Sequence, residues 1–310
     1  MREIVVFGGS AHRALTAEIC EYLSVPQRPV RLTRFANDCL EVQLQANCRE
    51  RDVFLIQPLV RPVQEHLVEL LLMADAARGA SAARVTAVIP HFAYARSDKK
   101  DEPRISIAGR LVADLLVTAG VNRVLTLTLH SPQVHGFFSV PVDHLHALRE
   151  FAAHFRERDL ARAVVVSPDL GHAKSAAAFA RRLGVPVAAG AKERISDSEV
   201  IISAIIGDVA GRDVIILDDE ISRGTTVFEL LDRLCERGAR SVAVACTHGL
   251  FADNSLDKLA ASDVTEIVCT NTAPVPTDHP KLHVLSVAPA LAEAMSRIHD
   301  GESVSALFVE

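Results

Sequence analysis

Short runs of apolar, largely β-branched residues recur along this chain and alternate with amphipathic stretches of helical period, and that alternation constrains its fold more than any other feature. In the first half the runs are EIVVF, DVFLIQ, RVTAVIP and RVLTLTL; in the second they are AVVVSP, VIILDD, SVAVACT and EIVCT. A run without polar alternation belongs to a strand covered on both faces. The stretches between them supply the cover, so each half reads as a mainly parallel sheet flanked by helices, an α/β fold. EHLVELLLMADAARGA, AGRLVADLLVTAG, AAAFARRLG and VFELLDRLCERGA are helices of that kind, and glycines near their ends suggest left-handed caps before the next strand. Charged loops after RVTAVIP and DVIILDD echo one another, which predicts two similar domains, residues 1–148 and 149–310.

With 49% hydrophobic residues in 310, the chain can fill a core in each domain. Its 33 basic and 39 acidic residues provide no broad positive face for nucleic acid or an anionic membrane, so any phosphate must bind locally. No apolar run reaches membrane-spanning length, and the opening MREIVVFGGSAHRAL reads as strand and turn rather than a signal segment, so a cytoplasmic protein is expected. Cys20, Cys39, Cys48, Cys235, Cys246 and Cys269 lack the spacing of a zinc site or a disulfide framework.

Ligands of open α/β sheets collect at the carboxyl ends of the strands, so the loops there carry the functional argument. In VIILDDEISRGTT, Asp218 and Asp219 end a strand and Gly224, Thr225 and Thr226 lead into a helix. Unpaired helix N–H groups attract phosphate, and neighbouring carboxylates accept hydrogen bonds from a diol, a combination suited to a sugar phosphate. VVVSPDLGHAK repeats the theme with Asp169, Gly171 and Lys174. In GAKERISDSEV, Lys192 and Arg194 are spaced to project to one side of an extended segment, as two cations meeting a polyphosphate would. HFAYARSDKKDEPRIS interleaves Arg96, Lys99, Lys100 and Arg104 with Asp98, Asp101 and Glu102, and His130 closes RVLTLTL. Taken singly, each has an ordinary reading as an N-cap, a turn, a solvated loop or a structural histidine.

Taken in order, the loops resemble those of the ribose-phosphate pyrophosphokinase family over nearly the whole chain, through RVTAVIPHFAYARSDKKD, LHSPQVHGFFSVPVDHL, VVVSPDLGHAK, IIGDVAGRDVIILDDE, THGLF and GESVSALF. The resemblance implies two phosphoribosyltransferase-like domains. It also implies transfer of the β,γ-diphosphoryl group of ATP, with Mg2+ as cofactor, to the C1 hydroxyl of ribose 5-phosphate, giving phosphoribosyl diphosphate (PRPP) and AMP. Lys192 and Arg194 match the catalytic cations, Asp218 and Asp219 the pair that holds the ribose hydroxyls, and Ser222, Arg223, Gly224, Thr225 and Thr226 the 5-phosphate loop. His130 and Asp169 match metal-linked positions, Asp169 opening the loop that receives the diphosphate. Phe35, Asn37, Arg96, Ser97 and Asp101 fall on the ATP pocket. In the family the Phe35 loop comes from a neighbouring subunit, which implies a dimer-based homo-oligomer, up to a hexamer. Arg49, Ser81, Arg104, Ser303 and Ser305 match an allosteric phosphate and ADP site.

Several positions depart from the family pattern. Where members read DDxxDTGGT or DDxxDTCGT, this chain has DDEISRGTT, with Ser222, Arg223 and Thr225 as the changes. A β-branched residue forced into a left-handed conformation costs roughly 1 to 2 kcal/mol, so either the loop changes shape or position 225 never needed that conformation. Cys39 replaces a glutamate, Ser97 a glutamine and Thr128 an aspartate. Arg223 is expected to compensate with a charge-assisted bond to phosphate. These departures keep two other readings open, a weakly active or non-catalytic paralogue that regulates a PRPP synthetase and a diphosphokinase with altered sugar-phosphate or donor specificity. The Asp218 loop alone would also suit a phosphoribosyltransferase that consumes PRPP, against which stand the duplicated domain and the ATP-side matches.

Overall fold

The computed structural model describes residues 3–194, 200–276 and 278–307. The chain divides into two compact units, residues 1–146 with 272–274 and 287–309, and residues 147–271 with 275–286.

In the first unit, β1 (Ile4–Gly8), β2 (Gln27–Arg28), β5 (Asp52–Ile56), β6 (Arg84–Ile89), β7 (Arg123–Leu127) and β8 (Val142–Leu145) form one sheet in the order β2-β1-β5-β6-β7-β8. Every pairing in it is parallel. Central β5 is buried along its whole length, as the apolar run Val53–Ile56 demands, and Asp52 at its start is buried with it. Helices α1 (Arg13–Leu23), α2 (Val63–Gly79) and α3 (Ala108–Ala119) connect these strands. A separate antiparallel hairpin pairs β3 (Val30–Arg34) with β4 (Leu40–Leu44), and β4 alternates half-buried and exposed residues.

The second unit begins with α4 (Leu148–Phe155) and continues through β9 (Ala163–Ser167), α5 (Ala173–Leu183), β10 (Val187–Arg194), β11 (Val200–Ile206) and β12 (Asp213–Ile221). Then follow α6 (Thr225–Glu236), β13 (Ser241–Gly249), α7 (Ser255–Ala261), β14 (Val264–Thr270) and β15 (Leu282–Leu285). Strand order is β11-β10-β9-β12-β13-β14-β15, with β10 and β11 antiparallel and the rest parallel. Both units therefore have the mainly parallel α/β architecture that the sequence predicts.

The last helix, α8 (Ala288–Asp300), packs on α1 and so returns to the first unit, which one cut near residue 148 does not provide for. A buried ion pair explains its place. Asp52, 1% exposed, pairs with Arg84 and lies 2.9 Å from Nδ1 of His299, while Arg84 donates to the Ile298 carbonyl at 2.8 Å. A buried carboxylate needs such partners, and α8 brings one of them. Helix ends also differ in detail from expectation: Gly79 stays inside α2, and the left-handed turn falls on Ser81 at φ 62°.

Candidate active site

Neighbouring strands β9 and β12 end in acidic loops, and one imidazole bridges them. The Ser167 hydroxyl donates to the Asp169 carbonyl at 2.6 Å, shaping the turn after β9. The backbone N–H of His172 donates to Asp169 Oδ1 at 3.1 Å, and its Nδ1 lies 3.2 Å from the same oxygen. On the other side, His172 Nε2 lies 3.2 Å from Oδ1 of Asp219. The hydrogen bond to Asp169, then the charges of Asp219 and Asp218, outweigh burial and push the imidazole up to about 9. At neutral pH it is therefore a cation held between two carboxylates.

Asp218 and Asp219 sit on the last part of β12. Asp219 is 6% exposed, and its N–H donates to Asp218 Oδ1 at 2.9 Å. Burial first, and the adjacent Asp219 charge second, push Asp218 up to about 8. Glycine lets β10 pass close to the turn after β9, because a Cβ on Gly190 would lie 2.6 Å from the Pro168 carbonyl oxygen.

Beyond β12, residues 222–224 are fixed by the segment after β13. Leu250 and Phe251 donate their N–H groups to the Ile221 carbonyl, and Ala252 N–H and the Ser255 hydroxyl reach the Ser222 carbonyl at 2.9 and 2.7 Å. Gly224, at φ 77°, caps α6 without any side-chain acceptor, so the first-turn N–H groups meet no capping side chain. Thr225 is already the first helical residue. The left-handed conformation in this loop belongs to Gly224, and threonine at 225 carries no such strain. Arg223, 75% exposed, forms an ion pair with Asp253, Nε to Oδ2 at 2.9 Å.

Lys192 and Arg194 belong to the end of β10, in register with Ile202 and Val200 of β11, with a register shift between Ala191 and Lys192. Their side chains lie outside the described residues.

In the first unit, Phe35 and Asn37 occupy the β3–β4 turn, tied by Phe35 N–H to the Cys39 carbonyl at 2.9 Å and by Cys39 N–H to Asn37 Oδ1 at 3.2 Å. Phe35 stands 48% exposed. Arg96 ends a short 3-10 turn after β6, and Ser97 stitches the charged loop shut, accepting from Ala108 N–H at 3.0 Å and donating to the Ser106 carbonyl at 3.3 Å. Serine at this position thus closes the loop through its own hydroxyl. Asp101 is exposed and pairs with Lys99 at 3.3 Å.

His130 follows β7, where Thr128 adopts φ 38°, an uncommon value for a β-branched residue. Edge strand β8 holds that turn: Thr128 N–H donates to the Leu145 carbonyl and Leu129 N–H to His144 Nε2, both at 2.8 Å. Of the expected allosteric positions, Arg49 forms a bridge with Ala82 while Glu50 N–H donates to the Ser81 carbonyl at 2.9 Å, bringing Arg49 and Ser81 together. Ser305 N–H donates to the Ser303 hydroxyl at 3.1 Å, past the end of α8, and Arg104 takes a left-handed turn at φ 66°.

Sequence reading missed three residues of these sites. His172 stands in the quoted GHAK stretch, where histidine between a turn and a helix was the available signal. His144 and Asp253 bore none, since both act on residues far from them in the chain.

A model of the N-terminal domain of ribose phosphate pyrophosphokinase matches residues 4–120, and one of the phosphoribosyl synthetase-associated domain matches residues 199–309. A Streptomyces coelicolor protein named "Putative ribose-phosphate pyrophosphokinase" is 72% identical over 99% of this chain and 98% of its own length. One from Deinococcus radiodurans, "Ribose-phosphate pyrophosphokinase", is 51% identical over 98% of each. The crystal structure of phosphoribosylpyrophosphate synthetase from Mycobacterium smegmatis superposes with a TM-score of 0.91 at 37% identity, covering 97% of this chain and 100% of that one.

Proposed function

The chain belongs to the ribose-phosphate pyrophosphokinase family, and from that premise we propose that it transfers the β,γ-diphosphoryl group of MgATP to the C1 hydroxyl of ribose 5-phosphate, releasing PRPP and AMP. The observation that carries this reading is the acidic edge of β12 standing directly before the uncapped N-terminus of α6. Carboxylates there accept hydrogen bonds from the ribose diol, and the α6 N–H groups and helix dipole hold the 5-phosphate one turn away. His172, cationic between Asp169 and Asp219, keeps both loops in register and lowers the cost of crowding carboxylates.

Phosphoryl transfer leaves the protein little covalent work, so positioning and charge neutralisation provide most of the rate. Lys192 and Arg194 take the neutralising role as β,γ-phosphate charge shifts toward the sugar oxygen. The oxygen-rich donors after β9 and β12 suit magnesium, whose excess positive charge matches a cluster crowded enough to lift Asp218 to about 8. Asp169 would hold the ion in this unit, and His130 stands separately as the metal-linked expectation on the first unit. When bound, the ion neutralises phosphate oxygens.

On the ATP side, Phe35, Asn37, Arg96, Ser97 and Asp101 form the nucleotide set, and the exposure of Phe35 on its turn suits presentation to a neighbouring subunit of a homo-oligomer. Among the described residues no helix is long and apolar enough to cross a membrane.

Purified protein incubated with MgATP and ribose 5-phosphate is expected to yield AMP and PRPP in equal amounts. Lys192→Ala should lower kcat by about 100-fold or more, in the range for removing one group that stabilises transition-state charge. Absence of both products from wild-type protein, with or without added phosphate, would refute the assignment.

A further inference from the structure

We propose that Asp253 is a positioning residue for the sugar phosphate, holding the Arg223 guanidinium beside the N-terminus of α6. This inference rests on the reading of the 222–226 loop given above and adds a determinant outside that loop.

Backbone strain provides the first argument. Phe251, Asp253 and Asn254 all adopt left-handed conformations, at φ 42°, 56° and 59°. Such values favour glycine, and non-glycine residues persist there only where their surroundings over-determine them. Here the surroundings do so. Phe251 N–H and Ala252 N–H donate to the Ile221 and Ser222 carbonyls at 3.1 and 2.9 Å, and the fully buried Ser255 donates to Ser222 at 2.7 Å. Residues 251–255 are thus hydrogen-bonded to the same backbone that carries Arg223.

Charge provides the second argument. Among the described residues Asp253 is the one ion-pair partner of Arg223, at 2.9 Å, and both side chains are exposed, at 54% and 75%. An exposed pair of this kind adds little to folding stability. Its effect is directional, because a long arginine left to itself samples many rotamers, and one held at a single oxygen presents the rest of its planar fork in one place. Arg223 itself stands one residue before Gly224, whose helix has no side-chain cap. An anion bound there meets the α6 N–H groups and a restrained guanidinium together, so its binding loses less side-chain entropy.

Asp253→Gly provides the decisive test, since glycine suits φ 56° and removes the carboxylate without imposing new strain. The variant should melt no lower than wild type, yet raise the KM for ribose 5-phosphate about fivefold, as expected when a charge-assisted contact is misaimed rather than deleted. The KM for MgATP should stay within about twofold of wild type. Asp253→Asn, which keeps an acceptor oxygen and tolerates the same backbone, should hold the sugar-phosphate KM at or below the wild-type value. In an Arg223→Thr background, Asp253→Gly should add nothing further.

An unchanged or lowered KM in Asp253→Gly would overturn the proposal, as would an equal rise in the Arg223→Thr background. Calorimetric titration of ribose 5-phosphate into each variant separates this inference from the assigned reaction. The same order of affinities in protein that forms no PRPP would sink the reaction and leave the role of Asp253 standing, and loss of that order would sink the role of Asp253.

Discussion

Each unit places a turn and a helix N-terminus after a parallel strand, but the two ends are finished differently. After β1, the Ser10 N–H and hydroxyl donate to the two Glu69 oxygens at 2.9 and 2.5 Å, and Gln57 donates to the same carboxylate at 2.7 Å. Glu69 is 2% exposed, so the first unit fills its own anion-binding turn with an internal carboxylate. After β12, no side chain caps α6, and the carboxylates stand on the strand instead. A nest satisfied from within stabilises the fold, and one left open is available to a ligand. Similar topology therefore does not imply duplicated chemistry.

The strongest way to break this contrast is at Glu69. Glu69→Ala leaves the Ser10 donors and buried Gln57 without their shared acceptor and should cost about 2 to 3 kcal/mol of stability, measured by urea unfolding. Turnover per folded molecule should remain near wild type. A large loss of kcat in fully folded variant protein would show that the first unit's turn is not closed after all.

Acid–base behaviour sharpens the second unit's side of the comparison. His172 titrates near 9 in the folded chain against an ordinary 6.5, so the stability that its cation contributes is whole below pH 6.5 and is lost as pH rises through 9. Asp218, raised to about 8, acts in the same direction as it ionises in a crowded site. Melting curves of the ligand-free protein should therefore show a loss of roughly 1 to 2 kcal/mol between pH 7 and 10 that His172→Gln largely removes. Parallel curves for the two proteins would contradict the bridging geometry.

A smaller effect is expected at the β7 end, where His144 holds the strained Thr128 turn ahead of His130. His144→Leu should raise the KM for MgATP by about threefold, and His144→Gln, whose amide oxygen can still accept from Leu129 N–H, should restore it. Equal behaviour of both variants would assign His144 to packing alone.

How far the fold was readable from sequence varies with the range of the interaction. The apolar runs marked β1, β5, β6, β7, β9, β12, β13 and β14 because burial on two faces leaves no polar alternation, while β2, β8, β10, β11 and β15 lay outside those runs. VIILDD pointed to a ligand edge because strand ends and helix starts are local features. Departures in the 222–226 loop were also visible, but not their consequence: whether Thr225 was strained depended on which residue took φ 77°, and that was Gly224.

Local periodicity, charge and loop chemistry were enough to predict an α/β chain with acidic and basic strand-end loops, and the ordered stretches of sequence around those loops carried the resemblance to a phosphate-transferring family. Tertiary structure alone decided that His172 bridges Asp169 and Asp219, that α8 closes on Asp52 across 247 residues of sequence, and that Glu69 reaches Ser10 across 59. The physical reason is that such partners are chosen by which strand ends the sheet order brings side by side, and a buried charge accepts whichever donor arrives there with the right geometry.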